Sequence, residues 1–282
     1  MHALYVLGIT VFVIASAACG GSNSSTPAAP TPVTPVGPTL TSLTIDGPDA
    51  VLTTKAADYT ATAHFSNQTN QTVAAAWTGS PTSVATVNPT GRVSGQVHGS
   101  FTLAASYQGV NATKTVSVVS NYDGRWAGVV VRLTCQRNGE LAQRISQRAC
   151  PAGPNERMPM SFTISQPGPS FTQVTAVLNV AGLILNVRGT VTNDGRLVLD
   201  GDTEYQVPDA SNRLHTVRYS VLKWDTQLTG FTLSLIGGGF DQNMTDSIWR
   251  GNVYQEYEIE QMRRAASLAP GPMAPRFRAG TR

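Results

Sequence analysis

Carboxylates at period two are the most conspicuous chemical groups in this 282-residue chain. Asp200, Asp202 and Glu204 recur at every second position, as do Glu256, Glu258 and Glu260, and in a strand that spacing projects each trio from one face. Carboxylate oxygens bind calcium when they converge, but a straight strand spreads alternate side chains about 7 Å apart, so solvated outer faces are expected and no metal centre. His215 stands alone between residues 121 and 262. There is no G-x-S-x-G elbow, no H-E-x-x-H pair and no glycine-rich phosphate loop leading into a helix. No set of nucleophile, base and orienting group can be assembled, so no catalytic residue and no cofactor is expected. His64 and His98 lack acidic or thiol neighbours at ligand spacing and read as surface or satisfied side chains. Gly237-Gly238-Gly239 follows a strand instead of preceding a helix, which suits curvature better than phosphate binding. Cys135 and Cys150 enclose a short polar stretch without a third cysteine or a histidine to complete a metal site. A disulfide is expected, stabilising the fold by about 3 kcal/mol in an oxidising compartment, with free thiols the alternative.

The elements that must position these groups are strands. Charged residues make up 13% of the chain, about half the usual share, while Thr, Val, Ser and Gly abound. Residues 39–119 contain about seven short strand-like runs without a helical period, an antiparallel sandwich in outline. Trp77 supplies one large apolar body for that core and is expected to pack between its sheets. Residues 121–262 contain eight longer runs: 125–135, 158–166, 170–180, 183–192, 196–207, 214–228, 231–240 and 247–262. Their joins include Gln166-Pro167-Gly168-Pro169, Asn193-Asp194-Gly195-Arg196 and Thr229-Gly230. Sequential hairpins of long strands favour an up-and-down barrel, since closure removes exposed edges. Eight strands enclose a space that side chains fill or that holds one small ligand, and the abundant aromatics here serve either outcome. Tyr257, on one face with Val253 and Ile259 by alternation, is the candidate ligand-lining residue; Trp126 is assigned to the barrel floor.

The N-terminus bears on location. An apolar stretch from Leu4 to Ala15 leads into Ser16-Ala17-Ala18-Cys19; it is too short for the roughly 20 residues of a spanning helix. The run resembles the lipobox of bacterial lipoproteins, with only His2 where a basic n-region is usual. The resemblance implies that residues 1–18 are a cleaved signal peptide and that Cys19 is acylated. A secretory signal with an incidental cysteine is the alternative. Residues 19–38 then form a Gly-, Ser- and Pro-rich tether. Gly20 lacks the aspartate that lipoprotein families associate with inner-membrane retention, which favours the outer membrane.

Trp77, Ser83-Val84-Ala85-Thr86-Val87, Thr90-Gly91-Arg92-Val93-Ser94-Gly95, Gly99-Ser100-Phe101-Thr102-Leu103 and a closing Thr-Val-Ser-Val strand resemble the bacterial Ig-like domain, group 2. That implies a spacer or adhesion module without catalytic residues. Tyr122-Asp123-Gly124-Arg125-Trp126 has the G-x-W spacing that opens lipocalin-type barrels, a resemblance confined to this motif and the strand count. The tail, residues 263–282, carries five arginines among Ala, Pro and Gly and reads as disordered and basic, with weak attraction to anionic lipid. The expectation is therefore an all-β, lipid-anchored cell-envelope protein, an Ig-like β-sandwich followed by an antiparallel up-and-down β-barrel. It would act as a non-enzymatic binding or interaction module. Its partners would be the membrane through the N-terminal lipid and an envelope protein or polymer. Alternatives are a lipocalin-like carrier of a small apolar ligand in the barrel, and a hydrolase. A net charge of +3 without an Arg/Lys stripe argues against nucleic acid.

Overall fold

Alternation of buried and exposed residues organises almost every element of this chain. A computed structural model describes residues 37–144, 155–229 and 235–265. The segment read as a signal peptide, Cys19, the rest of residues 19–36 read as a tether, Cys150 and residues 266–282 lie outside the described residues.

Ten strands occupy residues 40–119. β1 (Leu40–Asp46) pairs antiparallel with β4 (Thr60–Phe65), and β4 with β5 (Asn70–Val73). A second sheet runs β2 (Ala50–Leu52), β10 (Val110–Val119), β9 (Gly99–Tyr107), β6 (Ala76–Ser80), with β2 parallel to β10. β3 (Ala56–Asp58), β8 (Arg92–Gly95) and β7 (Ala85–Val87) make a short third sheet. β9 shows how the pattern is set: Phe101, Leu103 and Ala105 are buried between exposed neighbours, as period two demands of a strand with one wet face. Trp77, on β6, is half-buried and packs against two apolar clusters of the sandwich, its indole lying against Gly91 just before β8 of another sheet. Phe101 is fully buried beside it, and its ring lies so close over Gly79 that an added Cβ would come within 2.1 Å of it.

The barrel follows at once. β11 (Gly124–Gly139), β12 (Glu156–Ser165), β13 (Gln173–Val180), β14 (Leu183–Val191), β15 (Leu197–Pro208), β16 (Leu214–Thr229), β17 (Leu235–Asp246) and β18 (Gly251–Arg264) close in sequence order, each antiparallel to the next and β18 to β11. The eight runs read from sequence are all present. Several boundaries move by two to six residues. β17 runs on to Asp246, where sequence placed its end at 240, because the Asp246 carboxylate caps the next turn by accepting the amides of Ile248 (2.8 Å) and Trp249 (3.1 Å). Arg263 and Arg264, assigned to the tail by sequence, complete the last strand. Gly238 sits at a register shift in β17 with φ +123°, where a Cβ would meet the Asp225 carbonyl at 2.2 Å. The triple glycine thus serves close strand approach and bending.

Barrel and sandwich are not separated by a linker. Residues 119–122 are buried, and Ala50, Leu52 and Val119 of the sandwich share one apolar cluster with Tyr122, Trp126 and the barrel interior. The Gln166 side chain sits at the join: its Oε1 accepts the amides of Tyr122 and Asp123 (2.8 Å for the latter), and its Nε2 donates to the carbonyls of Ser120 (3.1 Å) and Phe171 (3.0 Å). His98 links the bodies too, accepting the Ser120 amide on Nδ1 at 3.2 Å and placing Nε2 3.0 Å from the Asn193 carbonyl. Every backbone group so buried needs a partner, and these side chains supply them.

Candidate functional site

The barrel interior divides into a packed floor and an open mouth. At the floor, next to the sandwich, an aromatic chain runs Trp126, Phe162, Trp224, Phe240, Tyr257, with successive ring centroids 4.8 to 6.3 Å apart. Trp126 is fully buried, as its assignment requires; its indole N–H donates to the Tyr122 carbonyl at 2.7 Å. Arg264 covers it, the guanidinium 4.5 Å from the ring centroid and donating to the Asn121 carbonyl (2.6 Å) and to that of Asp123. Tyr257 faces the lumen with Val253 and Ile259, in line with the alternation. It stacks on Phe240 at 4.8 Å, its hydroxyl is tied to Gln242 (3.1 Å) and Gln255, and burial pushes it up to about 12. It is thus the top of the floor more than the wall of an open lumen. A cavity of about 230 Å³ lies above it, bordered by Arg132, Gln242 and Gln255, and the buried Arg132 is paired with Glu156.

The mouth lies at the end away from the sandwich, where residues 140–144 after β11 converge with the turns after β15 and β17. A cavity of about 700 Å³ opens there, its apolar wall made by Leu141, Val217, Met244 and Ile248. The short helix α1 (Leu141–Arg144) leans over it, with Leu141 buried. His215 is the chemical centre. Its side chain is 3% exposed, its Nδ1 is bonded to an Asp246 oxygen, and its ring meets Trp249 edge-on at 4.6 Å. Burial alone would raise the Asp246 carboxyl, but the amides of Ile248 and Trp249, then His215, outweigh it and hold the group below its ordinary value. Asp246 therefore stays ionised and fixes the ring with its Nδ1 proton inward. Nε2 has no hydrogen-bond partner among the described residues. Since no buried side-chain nitrogen or oxygen there lacks a partner, Nε2 is open to the cavity. Tyr219 lines the same space, its hydroxyl raised by burial and then by Tyr205.

Charge in the mouth is internally matched. Arg213 pairs with Asp209 at 2.8 Å and Arg144 with Glu140 at 3.7 Å, and the Asp246 carboxylate is held by the amides of Ile248 and Trp249 and by Nδ1 of His215. Asp209 is further held by the amides of Ser211 (2.8 Å) and Arg213 (2.9 Å), and the backbone and side chain of Arg213 keep its carboxyl below the usual range despite the opposing effect of burial.

The carboxylate trios fall elsewhere. Asp202 and Glu204 lie on the outer face against Arg218, Glu260 pairs with Arg157, and Glu256 accepts the Thr134 hydroxyl at 3.0 Å. Cys135 is in β11 near the mouth and accepts the Gln255 side-chain N–H at 3.3 Å; its proposed partner Cys150 lies outside the described residues. Reading the sequence missed the His215–Asp246 pair, which joins residues on neighbouring strands 31 positions apart. The one available signal was Asp246-Ser247-Ile248-Trp249, an aspartate poised to cap a turn.

No family model and no curated protein matches the chain. Among solved structures it is similar to a Bacteroides ovatus protein of unknown function, with 12% identity over 79% of this chain and 94% of that one and a TM-score of 0.19. It is also similar to a multidomain protein including DUF1735 from the same organism, with 10% identity, the same coverages and a TM-score of 0.19. Likeness at that level says nothing about what this chain does.

Proposed function

We propose that this is a lipid-anchored cell-envelope protein whose barrel is a non-enzymatic binding module, with the mouth as its binding surface and the Ig-like sandwich as its spacer. The observation that carries the reading is the division of the lumen: a packed aromatic floor beneath a mouth of about 700 Å³ that presents a buried, oriented histidine. Pockets that are concave, largely apolar and furnished with a few fixed polar groups are the usual form of small-molecule sites. Nε2 of His215 has no hydroxyl, thiol or amine within hydrogen-bond distance among the described residues, which supports binding over nucleophilic catalysis. The lipobox-like run ending at Cys19 and the tether after it support the envelope placement, outer membrane favoured, and export supports the Cys135–Cys150 disulfide. Deep carriage of an apolar chain, the lipocalin-like alternative, is disfavoured because Trp224, Phe240 and Tyr257 already fill that volume. Fluorescence titration with cis-parinaric acid separates the two. A surface binder is expected to show no saturable uptake of this long-chain probe and no rise in melting temperature, since a bound ligand stabilises by mass action. Saturable uptake at micromolar concentration, weakened by Tyr257→Ala in a folded protein, would establish the carrier instead.

A further inference from the structure

We infer that the mouth takes a neutral, hydroxyl-bearing small molecule with a flat apolar face, its O–H donating to Nε2 of His215. This rests on the mouth being the binding surface. Three observations lead to it. The Asp246 carboxylate, bonded to Nδ1 and capped by two amides, draws a ring proton to Nδ1, so that in the neutral imidazole Nε2 is a lone-pair acceptor. An acceptor inside a side chain only 3% exposed is satisfied by a donor, not by another acceptor. The cations lining the cavity are both matched, Arg213 by Asp209 and Arg144 by Glu140, and the buried Asp246 carboxylate is held by two amides and Nδ1 of His215, so no free cation among the described residues waits for an anionic ligand. The wall of the cavity beside His215 has an apolar, partly planar section. The Trp249 ring stands at 62° to the imidazole, and Met244, Val217 and Leu141 back the cavity, a setting that favours a planar body.

Three probes sharing one ring system test this: 2-naphthol can donate, 2-methoxynaphthalene can only accept, and 2-naphthoate is an anion. Isothermal titration of the full exported chain should show saturable 2-naphthol binding. The methoxy compound and the carboxylate should each bind about ten-fold or more weakly, the usual consequence of leaving a buried acceptor unmet. Asp246→Asn supplies the second arm. Its Oδ1 still caps the turn, while its amide N–H faces Nδ1, which places the ring proton on Nε2. The 2-naphthol preference over 2-methoxynaphthalene should then disappear, with near-ultraviolet circular dichroism unchanged. Equal or tighter binding of the methoxy compound or the carboxylate to the wild type would overturn the inference while leaving the mouth as a site. An unchanged preference in a folded Asp246→Asn protein would overturn it too. Binding of none of the three would remove both the inference and the mouth reading.

Discussion

Gln166 offers the sharpest test of how the two bodies are joined. Replacing it with alanine strands four backbone groups at once: the amides of Tyr122 and Asp123 and the carbonyls of Ser120 and Phe171. The side chain is buried at 5% exposure, so water reaches these groups only by opening the join. An unsatisfied buried donor or acceptor costs about 1–3 kcal/mol, and partial hydration and relaxation keep four of them below their sum, giving an expected loss of about 3–5 kcal/mol. For a body of this size that corresponds to a fall in melting temperature of roughly 6–20 °C. Gln173→Ala, at an exposed position of β13, serves as control and should stay within about 0.5 kcal/mol. The assay is urea unfolding followed by fluorine NMR of 5-fluorotryptophan, which resolves Trp77 in the sandwich from Trp126 and Trp224 in the barrel. Because one apolar cluster runs from Ala50 and Val119 into the barrel, the Trp77 and Trp126 signals should disappear at the same urea concentration in the wild type. A loss below about 1 kcal/mol for Gln166→Ala, or separate wild-type midpoints for the two tryptophans, would refute the shared-core reasoning.

Other consequences are equally direct. Peptide mass mapping of protein taken from the envelope should find Cys135 joined to Cys150, with reduction lowering stability by about 3 kcal/mol; free thiols in that sample would contradict the pairing. Cys19→Ser should move the protein from the membrane pellet to the soluble exported fraction, and labelled fatty acid on the variant would count against the anchor. The Asp246 carboxyl is held below its ordinary value of about 4, so it stabilises the fold above that pH and the contribution is lost as pH falls through the folded-state value. Melting temperatures of Asp246→Asn between pH 3 and 6 should therefore converge on the wild type at the acid end, and parallel curves would refute the assignment.

The architecture was legible in the sequence because period two and turn residues are local signals. The eight barrel runs, the Asn193–Arg196 turn, and the places of Trp126 and Tyr257 all follow from them. The site was hidden for an equally local reason. β16 carries a bulge between Leu222 and Asp225, with Lys223 at φ +48°, so two exposed residues stand in succession and the inward parity changes. Counting alternate positions back from the buried Trp224 puts His215 and Val217 outside; in the structure both are inside. A one-residue slip exchanges the two faces of a strand, and nothing in the residues 222–225 announces it. Trp77 illustrates a different limit. Its size marks it for a core, and its indole does lie against Gly91, yet it stays half-buried while Phe101, over Gly79, is the ring that is fully buried. Sequence gives residue volumes without saying which cavity each one fills.

The mouth as binding surface can be read most directly from methionine methyl groups, which happen to mark both ends of the lumen. Met244 lines the mouth, whereas Met160 and Met262 are buried in the floor cluster. In carbon-13 methyl spectra of the full chain titrated with 2-naphthol, the Met244 signal should shift to saturation while Met160 and Met262 stay fixed. Shifts at Met160 and Met262, or no saturable shift at Met244, would contradict a binding site at the mouth.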